Sequence, residues 1–455
     1  MGLHRLRPPR LNPIRRHEQR WRPVKPIREA IAPLNVRDFR RYYFGHTAST
    51  FGDALTPFAL AFAVLHLTGS PADLGIVVLS TRIPIIALSL LGGALGDRFS
   101  RRNVMLVADL MRFLAHGATA ALLLSGTAGI WMIVVLQLLA GMGSALFNPA
   151  SVGLVVSLAG KERVQEANSL LSMSRSLTSI LALSVAGALV ATIGPGWAIL
   201  IDAATFLVSA AFLSRLPRAV ATQRPAASTG LLASIKGGLA EVTRRSWLLM
   251  SVIHVALTNL IVVAPFLVLG PYVADEHLGG APAWSAIGIA YAVGGLTGGF
   301  VATRWKPSRP VGATLAVFLL MTPLPALLAV PATLWLLLPA AFLAGLELVI
   351  YNVLQTSTIQ RHVPDHLIAR SSSVVTLGSL AAAPLGMGLA GPAAQVFGSG
   401  IVLAAGAVLA ILITVTALLV PSVWQIKDGP GEDEKAERAE PAHTDADGAT
   451  LAPKT

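Results

Sequence analysis

Apolar residues gather in twelve long blocks, at 42–67, 71–96, 103–125, 130–158, 165–193, 197–216, 246–272, 283–303, 311–330, 333–358, 366–397 and 399–424. A helix needs about 20 mostly apolar residues to cross a bilayer, and tilt absorbs the surplus of a longer block. The pattern predicts an all-α integral membrane protein with twelve transmembrane helices. All but three of the 35 Lys and Arg lie in the two terminal segments or in the even-numbered connections, and no odd-numbered connection holds one. Basic residues are retained on the cytoplasmic side of a membrane. Both termini are therefore expected in the cytoplasm.

The longest connection, 217–245, begins with a Pro- and Ala-rich stretch and ends in an amphipathic run, LLASIKGGLAEVTRRSW, which reads as a linker followed by an interfacial helix. It divides the chain into six-helix halves, 42–216 and 246–424. A gapless shift of 204 pairs Asn148 with Asn352, Gly187 with Gly391, Gly194 with Gly398 and Gly196 with Gly400; a shift of 206 pairs Gly92, Gly93 and Arg98 with Gly298, Gly299 and Arg304. The halves read as parallel copies related by duplication. The flanking segments differ from both. Residues 1–41 are rich in Arg and Pro and read as a basic cytoplasmic tail rather than a cleavable leader. Residues 425–455 are rich in Glu, Asp, Pro and Gly and lack the apolar content to build a core.

Composition narrows the function. The chain is 54% hydrophobic and 13% charged, with a mean hydropathy of +0.67, so no sizeable soluble domain accompanies the spans. The net charge of +12 sits in tails and loops, where it serves orientation and contact with anionic lipid rather than nucleic acid. Cysteine is absent, which removes disulfides, thiolate metal sites and a thiol nucleophile. No phosphate-binding loop, metal-ligand cluster or nucleophile constellation stands in a loop able to house an active site, so an enzyme is not expected.

The connection after the second span reads GGALGDRFSRRNVM, from Gly92 to Met105. Its glycines allow close helix approach, Asp97 can cap the following turn, and Arg98, Arg101 and Arg102 hold the loop inside. This loop resembles the signature of the major facilitator superfamily. The resemblance extends over about 37–424 and implies the major facilitator fold, with two pseudo-symmetric six-helix halves. It also implies gating by the loop, assigned to Gly92, Gly93, Gly96, Asp97, Arg98, Arg101 and Arg102, with Asp109 and Arg112 as a local supporting pair. The second copy, GGFVATRWKPSRP, has Thr303 in place of the Asp. Stretches such as FNPASVGLVVSLAGKERVQEANSL look like the branch of bacterial macrolide and siderophore exporters. Many proton-driven drug antiporters of the superfamily carry an Arg in the fourth span, where this chain has Gln137.

An ionisable side chain inside a membrane needs a partner or a wet path, which makes it a candidate site. Asp53 lies within the first span and Glu347 within the tenth; if the family arrangement holds, both face a central cavity and suit proton coupling. Arg82 and Arg175 could neutralise those acids, meet an anionic substrate or form a structural ion pair. Asp202 reads as interfacial. His46, His116 and His254 lie in or near spans, where packing is the commoner role. Asn148, Asn259, Asn352 and Gln355 add hydrogen-bonding groups, and Phe58, Phe147 and Tyr351 offer aromatic surface. Glu166 and Asn168 read as capping groups. The expectation is a secondary transporter in the bacterial cytoplasmic membrane that exports a small amphipathic compound by proton antiport. It needs no cofactor, the proton gradient being its energy source, and its partners are a small-molecule substrate and the lipid bilayer. Uptake or exchange of a metabolite is the alternative, and a non-transporting sensor a remote one.

Overall fold

A computed structural model describes residues 31–95, 100–160, 163–217, 242–330, 332–363 and 382–426. Six spans form the first half: α1 (Arg37–Thr68), α2 (Pro71–Leu95), α3 (Arg101–Leu124), α4 (Ile130–Ala159), α5 (Val164–Thr192) and α6 (Pro195–Ser214). In the second half α7 joins Ser246–Thr258 and Ala264–His277 through a π-helical turn, Asn259–Val263. Then come α8 (Ala281–Arg304), α9 (Pro310–Val317 and Pro323–Ala329, joined by a 3-10 turn at Phe318–Met321), α10 (Leu334–His362), the described part of α11 (382–397) and α12 (Ser399–Leu418). Among the described residues no strand occurs. Eleven of these helices are long and apolar enough to cross a membrane, and the beginning of the eleventh predicted span, 366–381, lies outside the described residues.

The helices invert the soluble rule of apolar inside and polar outside. On α3, Val107, Leu110 and Leu114 are exposed while Asp109, Arg112 and His116, on the opposite face, are buried. The same division runs along α12, with Val408 and Leu412 outside and Ala407, Ala410 and Thr414 inside. Lipid tails make an apolar exterior costless, so the interior can hold the polar groups. Tryptophans mark the two ends of the bundle. Exposed Trp131, Trp197 and Trp335 sit at the starts of α4, α6 and α10, and exposed Trp305 and Trp424 at the opposite end, as expected of interfacial belts.

The basic residues at that opposite end also cap helices. Arg102 donates from Nε to Leu213 O (2.9 Å) and from Nη2 to Ser214 O (2.6 Å), Arg41 donates to Arg215 O (3.0 Å), and Arg245 donates to His362 O (2.5 Å). The unpaired carbonyls at the C-terminal ends of α6 and α10 thus receive cations. Capping also accounts for one difference from the sequence reading. α1 begins at Arg37, not at residue 42, because Arg41 is held in its first turns by this contact and by Asp38 at 3.1 Å. The tail segment 1–30, the linker segment 218–241 and the C-terminal segment 427–455 lie outside the described residues.

The predicted repeat reappears as geometry. Gly194 and Gly398, 204 residues apart, both adopt positive φ (91° and 85°) to start α6 and α12, a conformation that a Cβ would strain. Gly187 lies against Ser285, so that α5 meets α8. Gly391 lies against the backbone of Pro71 and Ala72, so that α11 meets α2. These two pairings join the first six helices to the last six. They are reinforced by Ser285 Oγ donating to Leu183 O (2.8 Å), Gln395 Nε2 donating to Ser70 Oγ (3.0 Å) and His66 of α1 facing Asp275 of α7 at 3.5 Å. All of these contacts lie toward the end of the bundle where Gly69 closes α1.

Candidate functional site

A cavity of about 440 Å³ lies at mid-height between the two sets of six helices. Its first wall comes from α1, α2 and α5, and the facing wall from α7 to α11. The π turn of α7 shapes one side. Pro265 cannot donate to the carbonyl four residues back, the helix widens at Asn259–Val263, and both Asn259 and Val263 turn onto the cavity. Six aromatic side chains stand among mostly aliphatic ones on its surface: Phe58, Phe266, Trp284, Tyr291, Phe318 and Tyr351. Two charged residues line it, Arg82 from α2 and Glu347 from α10. Glu347 is 4% exposed, and among the described residues neither it nor Arg82 takes a hydrogen bond or an ion pair. Asn259 and Asn352 supply amides to the same wall as Glu347. A volume of this size with few polar groups suits a drug-sized organic molecule.

Asp53 stands one helical turn before Pro57, a cavity residue on the same face of α1. Its side chain is 45% exposed, while its partner Arg112 is 3% exposed, with Nη1 3.3 Å from Asp53 Oδ2. The other side of the guanidinium pairs with Asp109 Oδ1. Its flat faces meet Phe147 of α4 and Phe206 of α6, with Cζ 4.3 and 4.2 Å from the ring centroids, a cation–π enclosure. One turn along α3, His116 Nδ1 lies 2.5 Å from Asp202 Oδ2, and Thr56 of α1 donates to the same oxygen. Gly52 makes this convergence possible, because a Cβ there would strike Asp202 and Thr205.

The cluster therefore contains three carboxylates, one guanidinium and one imidazole. With every acid ionised it carries net negative charge whichever form the imidazole takes, in a setting where uncompensated charge is costly. Asp109 and Asp202 are sealed at 0% exposure. Asp53 is the one of the three acids whose side chain is exposed.

Several expectations change here. The partner of Asp53 is Arg112, not Arg82 or Arg175. Arg175 is exposed on α5 and makes no ion pair with either acid. Asp109 and Arg112 do pair, and they do so within the buried cluster. Asp202 is fully buried and hydrogen-bonded, not interfacial. Glu347, Asn259 and Asn352 meet in the cavity, whereas Asn148 is exposed on α4 away from it. His254 packs behind the cavity wall against Phe318 and Tyr351, with Nε2 3.0 Å from Thr414 Oγ1. Gln355 is half-buried, and its Nε2 has no partner among the described residues. His46 stacks between Tyr42 and Phe147. Gln137 is buried and accepts from Thr81 Oγ1 at 3.3 Å. Of the loop residues, Gly92 and Gly93 continue α2, and Gly96, Asp97 and Arg98 lie outside the described residues. Arg101 is bound within the first half to Gly153 O (2.7 Å), as Arg102 is to α6. The residues sequence reasoning missed, His116 and Asp202, carried a partial signal: Asp109, Arg112 and His116 are spaced to share one face of a helix.

The family model of the Major Facilitator Superfamily matches residues 42–387. The multidrug efflux pump Tap of Mycolicibacterium fortuitum is 28% identical over 395 residues, covering 82% of this chain and 93% of the pump. Macrolide efflux protein A of Streptococcus pyogenes is 21% identical over 355 residues, covering 77% of this chain and 87% of that protein. The solved nucleoside transporter NupG shares the fold at a TM-score of 0.67 and 13% identity, covering 86% of this chain and all of that one.

Proposed function

The chain belongs to the Major Facilitator Superfamily, and we propose that it exports an amphipathic organic compound across a bacterial cytoplasmic membrane in exchange for protons. The names of the efflux relatives support export. The placement of Lys and Arg supports termini in the cytoplasm. In that orientation the contacts between α5 and α8 and between α2 and α11 close the outer end, and the cavity faces inward. The halves 42–216 and 246–424 rock about the cavity, and the loop from Gly92 to Arg102 gates the cytoplasmic end.

The observation that carries the coupling is the position of Asp53: it alone of the three clustered acids has an exposed side chain, and the cluster holds more acid than base. Facing inward, Asp53 releases a proton to the cytoplasm as the substrate enters. Facing outward, it takes up a proton as the substrate leaves, and the protonated carrier returns. Arg112 holds the Asp53 carboxylate between those events.

Inverted vesicles test this. Asp53→Asn is expected to abolish accumulation driven by a pH gradient, by at least tenfold, while preserving counterflow of labelled substrate, which needs no net proton movement. Gradient-driven accumulation that survives Asp53→Asn sinks the coupling assignment.

A further inference from the structure

The two charged residues on the cavity belong to opposite walls. Arg82 rises from α2 in the first half, Glu347 from α10 in the second, and the two do not pair, so more than 4 Å separates guanidinium nitrogen from carboxylate oxygen. Everything else on the surface is apolar, aromatic or uncharged and polar. Glu347 is nine-tenths buried beside Tyr291 and Tyr351, without a hydrogen-bond partner among the described residues. A guest with one positive charge would satisfy Glu347 and leave Arg82 facing it unpaired; a guest with one negative charge would do the reverse. Arg82 is exposed in the open cavity and Glu347 is buried; once the walls close on a guest and exclude water, whichever of the two is left unpaired carries the desolvation cost.

We propose that the cavity selects amphiphiles carrying a cation and an anion in the same molecule, with Glu347 and its aromatic neighbours taking the cationic end and Arg82 the anionic end. The aromatic faces beside Glu347 favour a delocalised or alkylated cation. Such a guest bridges the two halves, so occupancy draws Arg82 and Glu347 toward a common centre as the walls close. This assignment rests on the transport reading for the identity of the cavity, but it concerns binding and not direction.

Three dyes on one xanthene frame provide the test with purified protein in nanodiscs: rhodamine B as the zwitterion, its ethyl ester as the cation and fluorescein as the anion. Fluorescence anisotropy is expected to give rhodamine B a Kd at least tenfold below either of the others. Arg82→Gln should raise the Kd of rhodamine B about tenfold and that of the ester less than threefold. Glu347→Gln should weaken both rhodamines and leave fluorescein within threefold. Because the wild-type ranking is itself decisive, the proposal does not depend on the variants folding. An ester that binds as tightly as rhodamine B, or an Arg82→Gln protein that keeps the tenfold preference, overturns it. Preferred zwitterion binding without outward transport would refute export and leave this selectivity standing.

Discussion

Arg112 is the residue on which the buried cluster turns. It has a carboxylate on each side and an aromatic ring over each face. Removing one partner of a buried ion pair costs about 3–5 kcal/mol, because the other charge stays behind. Arg112→Gln strands both Asp53 and Asp109, whereas Asp53→Asn leaves Arg112 paired to Asp109. Arg112→Gln is therefore expected to lower the melting temperature clearly more than Asp53→Asn, and adding Asp109→Asn should restore part of the loss. Thermal unfolding of the three proteins in detergent checks this; equal destabilisation by the two single changes would mean that the guanidinium is not the hub. The sequence made Asp53 and Glu347 stand out because acids are rare in apolar runs. It did not pair Asp53, since its partner Arg112 lies on another helix 59 residues distant. Arg82 was as visible as Arg112, and only packing separates the cavity cation from the cluster cation.

Among elements, the decisive contacts are the short ones between the halves. Gly187 on Ser285 and Gly391 on Ala72 let α5 meet α8 and α11 meet α2, and close approach of this kind is how membrane helices associate when no hydrophobic force separates them from lipid. Alternating access requires these contacts to part. The chain has no cysteine, so a pair introduced as Ser70→Cys and Gln395→Cys, where the side chains now hydrogen-bond at 3.0 Å, provides a clean lock. A short thiol cross-linker is expected to reduce transport below a tenth, with recovery after reductive cleavage. Full transport by the cross-linked protein would show that this end does not open. The helices themselves were legible to within a few residues, because length and apolarity suffice to mark them. Their irregularities were less so: the π turn at Asn259–Val263 and the 3-10 turn at Phe318–Met321 depend on prolines whose effect on a helix is resolved by its neighbours.

For the molecule as a whole, the end bearing Gly69 is expected outside and the end bearing Arg215 inside. A single cysteine at Ser70 should react with a membrane-impermeant maleimide in intact cells, and one at Arg215 only after permeabilisation. The reverse pattern would invert the topology, and with it the direction assigned to the cavity.

Sequence alone marked the membrane-spanning helices, and it set the expectations about which way the loops face and that the chain repeats itself. These are properties of local composition: hydrophobic length, the side on which Lys and Arg are retained and the recurrence of glycines at a fixed interval. Gly194 and Gly398 were paired by counting and reappear with the same backbone conformation. Tertiary structure decided which charges meet. Placing Asp53, Arg112, His116 and Asp202 together, and leaving Arg82 and Glu347 apart across a cavity, depends on the rotation of α1, α2, α3, α6 and α10 about their own axes. A buried charge lowers its energy by finding whichever counter-charge the packing brings within reach, and distance along the chain carries no record of that.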